Sequence, residues 1–156
     1  MHVSFICSGN ICRSPIAALV FGEHLRRAGL ADRVRVSSAG IGPWHVGESA
    51  DPRAQRVLAE HGYPTTHVAA QVGEDHLTAD LIVAMDAGHD GALRDLLEHQ
   101  GDDDGRLAMF TSFDPDASVV DVPDPYYGEF DGFVEVLTIV EAAMPGLLEW
   151  VRTNLD

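Results

Sequence analysis

Short apolar or alternating runs and longer stretches with helical spacing follow one another along this chain from end to end. His2–Ile6 is mostly apolar with β-branched residues and reads as a strand. Ser14 followed by Pro15 predicts a helix start, from which Leu19, Val20 and Leu25 hold one apolar face until Gly29 stops it. Val34–Ser37 alternates as a second strand, and residues 38–47 read as a Gly-containing loop. Asp51-Pro52 repeats the cap-then-proline start, with Ala54, Val57, Leu58 and His61 on one face and Gly62 as the stop. One helical turn is expected at Gly73–Leu77, a doubly covered strand at Leu81–Met85, a helix at about 86–98 and a fourth strand at 106–110. Residues 111–130 hold three prolines and no periodicity, which marks a functional loop. A last helix at about 131–152 keeps Phe133, Val136, Val140, Leu147 and Val151 on one face, and Pro145 is expected to kink it.

Strands separated by helices are too far apart for hairpins, so the pattern predicts right-handed βαβ crossovers. The expected fold is one doubly wound α/β domain over residues 1–156, with a parallel sheet and helices on both faces. In such sheets ligands bind beyond the carboxyl ends of strands, at a topological switch point, and Cys7 sits at such an end.

Composition narrows the function. The formal net charge of -15 repels polyanions, which argues against nucleic acid and against an anionic membrane surface as partners. Met1–Cys7 lacks the cationic start and apolar length of a secretion signal, and no stretch approaches the roughly 20 apolar residues of a membrane span. The expectation is a cytoplasmic protein, with leaderless export left open, and a monomer, with weak dimerisation left open. Cys7 and Cys12 are too few for a disulfide scaffold, and the eight histidines lack ligand spacing, so no metal and no cofactor are expected.

The string Cys7-Ser8-Gly9-Asn10-Ile11-Cys12-Arg13-Ser14 lies between a predicted strand and helix, opening on a thiol and closing on a guanidinium. A tight loop there turns backbone N–H groups inward, and the helix adds the positive end of its dipole, which together cradle an anion. Gly9 and Asn10 suit the positive φ angles such curvature needs, and Arg13 can grip two phosphate oxygens at once. This field favours the thiolate of Cys7, and Ser14 can donate its hydroxyl proton to the sulfur. Ser8 and Ile11 are expected to contribute through backbone amides. A buried structural cysteine is the competing reading of the string taken alone.

Within the long loop, Val122-Pro123-Asp124-Pro125-Tyr126-Tyr127-Gly128 supplies a carboxyl group between two prolines, followed by two aromatic walls. A tyrosyl leaving group needs a proton from an acid and later a base to activate water, and Asp124 can serve both steps. An Asp-Pro turn with core tyrosines is the plainer alternative. Asp51 and Asp86 read as helix caps.

Cys7 to Pro15, Ser38-Ala39-Gly40 with Trp44, Asp51-Pro52-Arg53-Ala54 and Asp124 to Gly128 together resemble the low-molecular-weight protein tyrosine phosphatases, over essentially the whole chain. The resemblance implies a doubly wound fold with a four-stranded parallel sheet, a phosphotyrosine protein as substrate and a phosphocysteine intermediate on Cys7. Asp124 then acts as general acid and base, and phosphate, vanadate or other oxyanions occupy the loop. It also implies that Asn10 is held by Ser14, Ser38 and His67, and that Trp44, Tyr126 and Tyr127 rim the substrate cleft. Cys12 becomes a partner able to capture oxidised Cys7. From the residues alone, His67 reads as an ordinary imidazole, Trp44 as a core residue and Cys12 as a small space filler.

Two rival functions stay open at this stage. An arsenate reductase of the same fold also opens on a cradle Cys and Arg, but it needs further resolving cysteines, and none follows Cys12. A phosphoprotein-binding module without turnover would not need the set Cys7, Arg13 and Asp124.

Overall fold

All six residues of β1, His2–Cys7, are buried, so this strand occupies the middle of a sheet rather than its edge. The structure, a computed structural model, describes residues 1–155. After β1 come α1 (Arg13–Arg27), β2 (Arg35–Gly40), α2 (Pro52–Glu60), α3 (Glu74–Leu77), β3 (Leu81–Ala84), α4 (Ala87–His99), β4 (Leu107–Met109) and α5 (Phe130–Asn154). A 3-10 turn at Phe110–Phe113 opens the long segment before α5.

The four strands are parallel in the order β2-β1-β3-β4. The chain leaves β1 towards β2 on one side and later returns to β3 on the other, so the order reverses at β1 and the switch point lies between β1 and β3. Alternation along β1 serves two layers. Val3 and Phe5 pack with α1, α2 and α5 in a core that includes Phe21, Phe110, Phe133 and Val140. Ile6 faces the opposite layer, where Ala39, Ile82 and Ala84 meet Leu77, Leu93 and Leu97 of α3 and α4. The α/β domain and its four-stranded sheet with helices on both faces are those expected from the sequence.

Two local expectations are corrected. The second strand does not end at Ser37 but continues through Ser38, Ala39 and Gly40, which pair with Phe5, Ile6 and Cys7. Small residues there read as loop from sequence, yet they pass directly beneath the turn after β1. Secondly, α1 begins at Arg13 with Cys12 at its cap position and no side-chain cap, so Ser14 is inside the helix and its hydroxyl is used elsewhere. The last helix, α5, runs from Phe130 to Asn154 with Pro145 inside it. Asp51 and Asp86 do cap α2 and α4, accepting from the backbone N–H of Arg53 and His89 at 2.8 and 2.9 Å.

Candidate active site

The turn between β1 and α1 closes over the switch point, and Asn10 sets its shape. Its φ of 59° is the left-handed conformation that asparagine tolerates, while Gly9 does not adopt positive φ, contrary to the expectation for it. The Asn10 side chain is fully satisfied: Nδ2 donates to Ser14 Oγ at 2.8 Å and to Ser38 Oγ at 3.0 Å, and Oδ1 accepts from Ala70 N at 2.9 Å. His67 Nε2 lies 2.7 Å from the Asn10 carbonyl oxygen, which can only accept, so Nε2 carries the proton. Burial holds His67 below its ordinary pKa, against the pull of that bond, which keeps the ring neutral. Among the described residues, the backbone amides of Ser8 to Cys12 donate to no protein acceptor, and the turn thus carries a run of uncommitted donors.

Cys7 Sγ ends β1 at 2.9 Å from Ser14 Oγ. Because that oxygen already accepts from Asn10, the serine hydrogen is left to point at the sulfur. Cys7 and Cys12 are both free thiols, and burial pushes the Cys12 thiol strongly upward, so Cys12 stays protonated.

Arg13 is buried at 3% exposure. Its Nη1 donates to Asp86 Oδ2 at 2.8 Å and to the Val122 carbonyl at 3.0 Å, which uses both of that nitrogen's hydrogens. Among the described residues Nε has no partner, so the edge formed by Nε and Nη2 is the one left to meet a ligand. Burial would raise the Asp86 carboxyl, but the His89 N–H and Arg13 outweigh it and keep Asp86 ionised.

Asp124 arrives from the loop before α5. Its Oδ1 accepts from Tyr126 N at 3.1 Å, forming a local turn that aims Oδ2 at Arg13 Nη2, 3.7 Å away. Arg53 holds this loop down: it is paired with Asp51 and donates Nη2 and Nη1 to the carbonyls of Tyr126 and Gly128, both at 3.0 Å. The guanidinium also lies over Phe133, 4.5 Å from the ring centre. Asp51 N in turn donates to Ile11 O at 2.8 Å, so the cradle and the acid loop share one anchor.

These groups open onto one cleft of about 440 Å³ lined by Cys7, Ser8, Gly9, Ile11, Cys12, Arg13, Trp44, His45, Asp124, Tyr126 and Tyr127. Trp44, at 68% exposure, stands on the rim and is not a core residue, and Tyr127 is 90% exposed. Of the residues expected from sequence, Ser38 and His67 lie behind the cradle, and all the others except Asn10 and Ser14 line the cleft itself. Ser8 does more than lend an amide, since its hydroxyl bonds His89 and Arg13. His45, Arg53, His89 and the Asp86–Arg13 pair were not anticipated as parts of the site. Asp86 and His89 follow directly on β3, the strand across the switch point from β1, and that placement was the signal available for them. Among the described residues no group of three or more His, Cys, Asp and Glu side chains is arranged to hold a metal ion, and no helix is long and apolar enough to cross a membrane.

A sequence profile described as low molecular weight phosphotyrosine protein phosphatase matches residues 2–156. The chain is 53% identical over 157 residues to low molecular weight protein-tyrosine phosphatase A of Mycobacterium tuberculosis, covering 99% of this chain and 94% of that protein. It is 48% identical over 158 residues to a low molecular weight protein-tyrosine-phosphatase of Streptomyces coelicolor, covering 99% and 96%. The crystal structure of YfkJ from Bacillus subtilis superposes with a TM-score of 0.91 at 33% identity, over 100% of this chain and 97% of that one. With a cleft built around a thiol, a guanidinium and a carboxyl group, and with matches that run from end to end, the chain belongs to the low molecular weight phosphotyrosine protein phosphatase family and is a phosphatase.

Proposed function

We propose that this protein hydrolyses phosphotyrosine in protein substrates in two steps through a phosphocysteine on Cys7. The observation that carries the reading is the convergence of Cys7 Sγ, the free edge of Arg13 and Asp124 Oδ2 on one cleft, although Asp124 comes from a distant loop. In the first step the Cys7 thiolate attacks phosphorus while the equatorial oxygens rest on the uncommitted amides of the turn and on Arg13 Nε and Nη2. The phosphorus–oxygen bond to tyrosine breaks as Asp124 Oδ2 gives its proton to the departing phenolic oxygen. In the second step the Asp124 carboxylate takes a proton from water, the water oxygen attacks phosphorus, and the phosphorus–sulfur bond breaks. The Ser14 hydroxyl, 2.9 Å from Sγ, stabilises the sulfur as it leaves with its charge.

Rim chemistry fits an aromatic ester. Tyr126 and Tyr127 meet edge to face with ring centres 5.0 Å apart, and they share the cleft lining with Trp44 and Ile11, an apolar set suited to a flat ring. The experiment compares wild type with Cys7→Ser on phosphotyrosine peptides and p-nitrophenyl phosphate. Turnover is expected only for the wild type, with a phosphoryl group trapped on Cys7 by acid quench, and vanadate is expected to inhibit. Equal, negligible rates in both proteins would instead indicate a binding module.

A further inference from the structure

Behind Arg13 lies a polar ring that the two-step chemistry does not use. Arg13 Nη1 donates to Asp86 Oδ2 at 2.8 Å, Asp86 Oδ1 lies 3.2 Å from His89 Nδ1, His89 Nε2 lies 2.8 Å from Ser8 Oγ, and Ser8 Oγ lies 3.4 Å from Arg13 Nη2. The circuit starts and ends on the same guanidinium. His89 is 4% exposed and is not among the residues that line the open cleft.

We propose that His89 is a positioning residue for the phosphate clamp, acting through the Ser8 hydroxyl to fix the plane of the Arg13 guanidinium. The tautomer follows from charge. An unprotonated Nδ1 would turn a lone pair on a carboxylate oxygen 3.2 Å away, so Nδ1 carries the hydrogen, although the contact is too poorly aligned to count as a full hydrogen bond. Burial, reinforced by Arg13, keeps the ring neutral against the opposing pull of Asp86, Asp124 and Asp121. In a neutral ring with hydrogen on Nδ1, Nε2 accepts, and the Ser8 hydroxyl must be the donor to it. The serine hydrogen is thereby committed, and only its lone pairs face Arg13 Nη2. The guanidinium has its Nη1 end fixed by Asp86 and Val122; at the Nη2 end the serine oxygen at 3.4 Å is the hydrogen-bonded contact that resists rotation, with Asp124 Oδ2 further off at 3.7 Å. Nη2 and Nε form the edge offered to the oxyanion, so that rotation is the motion that would spoil a two-point grip.

Four variants separate this from simple packing. An asparagine at this position keeps a polar group near Nδ1 and Asp86 but falls short of Ser8, whereas a glutamine places its amide oxygen near Nε2. His89→Asn and Ser8→Ala are each expected to raise the inhibition constants of inorganic phosphate and vanadate, read against p-nitrophenyl phosphate hydrolysis, by about fivefold to tenfold, the scale of one ordinary net hydrogen bond. The double variant is expected to match the worse single variant, because both break one link, and His89→Gln is expected to recover most of the affinity. The proposal is overturned if the two factors multiply in the double variant, if asparagine recovers affinity better than glutamine, or if Ser8→Ala leaves both constants unchanged. It rests on the phosphatase reading only for the oxyanion's place at Arg13. A wild type without hydrolysis would overturn that reading, whereas an active wild type with independent variants would overturn this one alone.

Discussion

Gly40→Ala is the sharpest probe of how the cradle is held, because the substitution lies outside the cleft yet presses on it. A methyl group at this position would sit 2.7 Å from the Ser8 carbonyl oxygen, 3.0 Å from Gly9 C and 3.2 Å from Asn10 N. Ordinary contact begins near 3.4 Å, so the shortfall against the oxygen is about 0.7 Å, and all three atoms are backbone. Gly40 cannot back away, since its N–H donates to Ala70 O and its carbonyl accepts from Val72 N, both at 2.8 Å. On the cradle side, Ile41 N and Gly42 N are bonded to the carbonyls of Cys7 and Ser8, so the strain passes into the turn itself.

Overpacking of this kind costs about 1–3 kcal/mol, which in a domain of this size lowers the melting temperature by about 2–12 °C. Catalysis is the more sensitive reporter. A misplacement of about 1 Å in a preorganised site costs on the order of a hundredfold, so a turn displaced by half that distance or more should lose about tenfold to a hundredfold in kcat/KM. The assay is p-nitrophenyl phosphate hydrolysis and vanadate inhibition at 25 °C, with the melting curve measured in the same buffer to show that the enzyme is folded. A variant whose kcat/KM and vanadate affinity stay within twofold of wild type would refute the claim that this glycine sets the cradle's position.

Asp124→Ala is expected to lower kcat on phosphotyrosine by about 10²–10⁴, and by much less on an ester whose leaving group departs without a proton; equal losses on both would remove Asp124 from the acid role. Arg53→Met keeps an apolar stem but loses the guanidinium over Phe133 and the bonds to the Tyr126 and Gly128 carbonyls, so kcat is expected to fall about tenfold while phosphate inhibition barely changes. The reverse pattern, with kcat intact and inhibition weakened, would mean that Arg53 serves the cradle and not the acid loop. His89, lowered to about 4 from 6.5 by burial and then by Arg13, is neutral when folded and protonates more readily when unfolded. Its contribution of up to about 3 kcal/mol is therefore complete above pH 6.5 and lost as pH falls towards 4, and His89→Gln should flatten the melting-temperature profile in that window. A profile that keeps its full slope in the variant would assign the acid sensitivity to other groups.

Much of the fold was legible because the sheet is parallel and buried. Runs such as Leu81–Ala84 have no polar face to confuse their reading, and capping pairs such as Asp51-Pro52 announce helix starts in a few residues. The errors came where a residue type answers to two demands. Ser38, Ala39 and Gly40 have the composition of a loop, but they are small because the turn after β1 rests on them, and strand pairing with β1 is what brings that support to the right height. Ser14 has the composition of a cap, but Asn10 and Cys7 compete for its hydroxyl, and the helix begins two residues earlier, at Arg13, with Cys12 at a cap position that has no side-chain bond.

The same distinction explains which site residues could be read. Cys7, Arg13 and Asp124 are visible because the proposed chemistry demands those side chains, and a loop–helix junction demands the spacing between two of them. His89, Arg53 and Asp86 act on other protein groups and leave no demand of their own on local sequence. They are found only when the topology is known: parallel pairing of β1 with β3 brings the carboxyl ends of both strands to one level, so the first turn of α4 must face the turn that opens α1. A polar side chain on the inward side of that first turn, as His89 is, therefore lies within reach of the cradle, whereas Asp90 turns outward to Arg94, and what His89 can bond depends on the residue after the nucleophile. Here that residue is a serine, and a neutral histidine completes the circuit; an apolar residue at position 8 would leave the His89 ring with no hydroxyl to hold and the Nη2 end of Arg13 with only Asp124, 3.7 Å away.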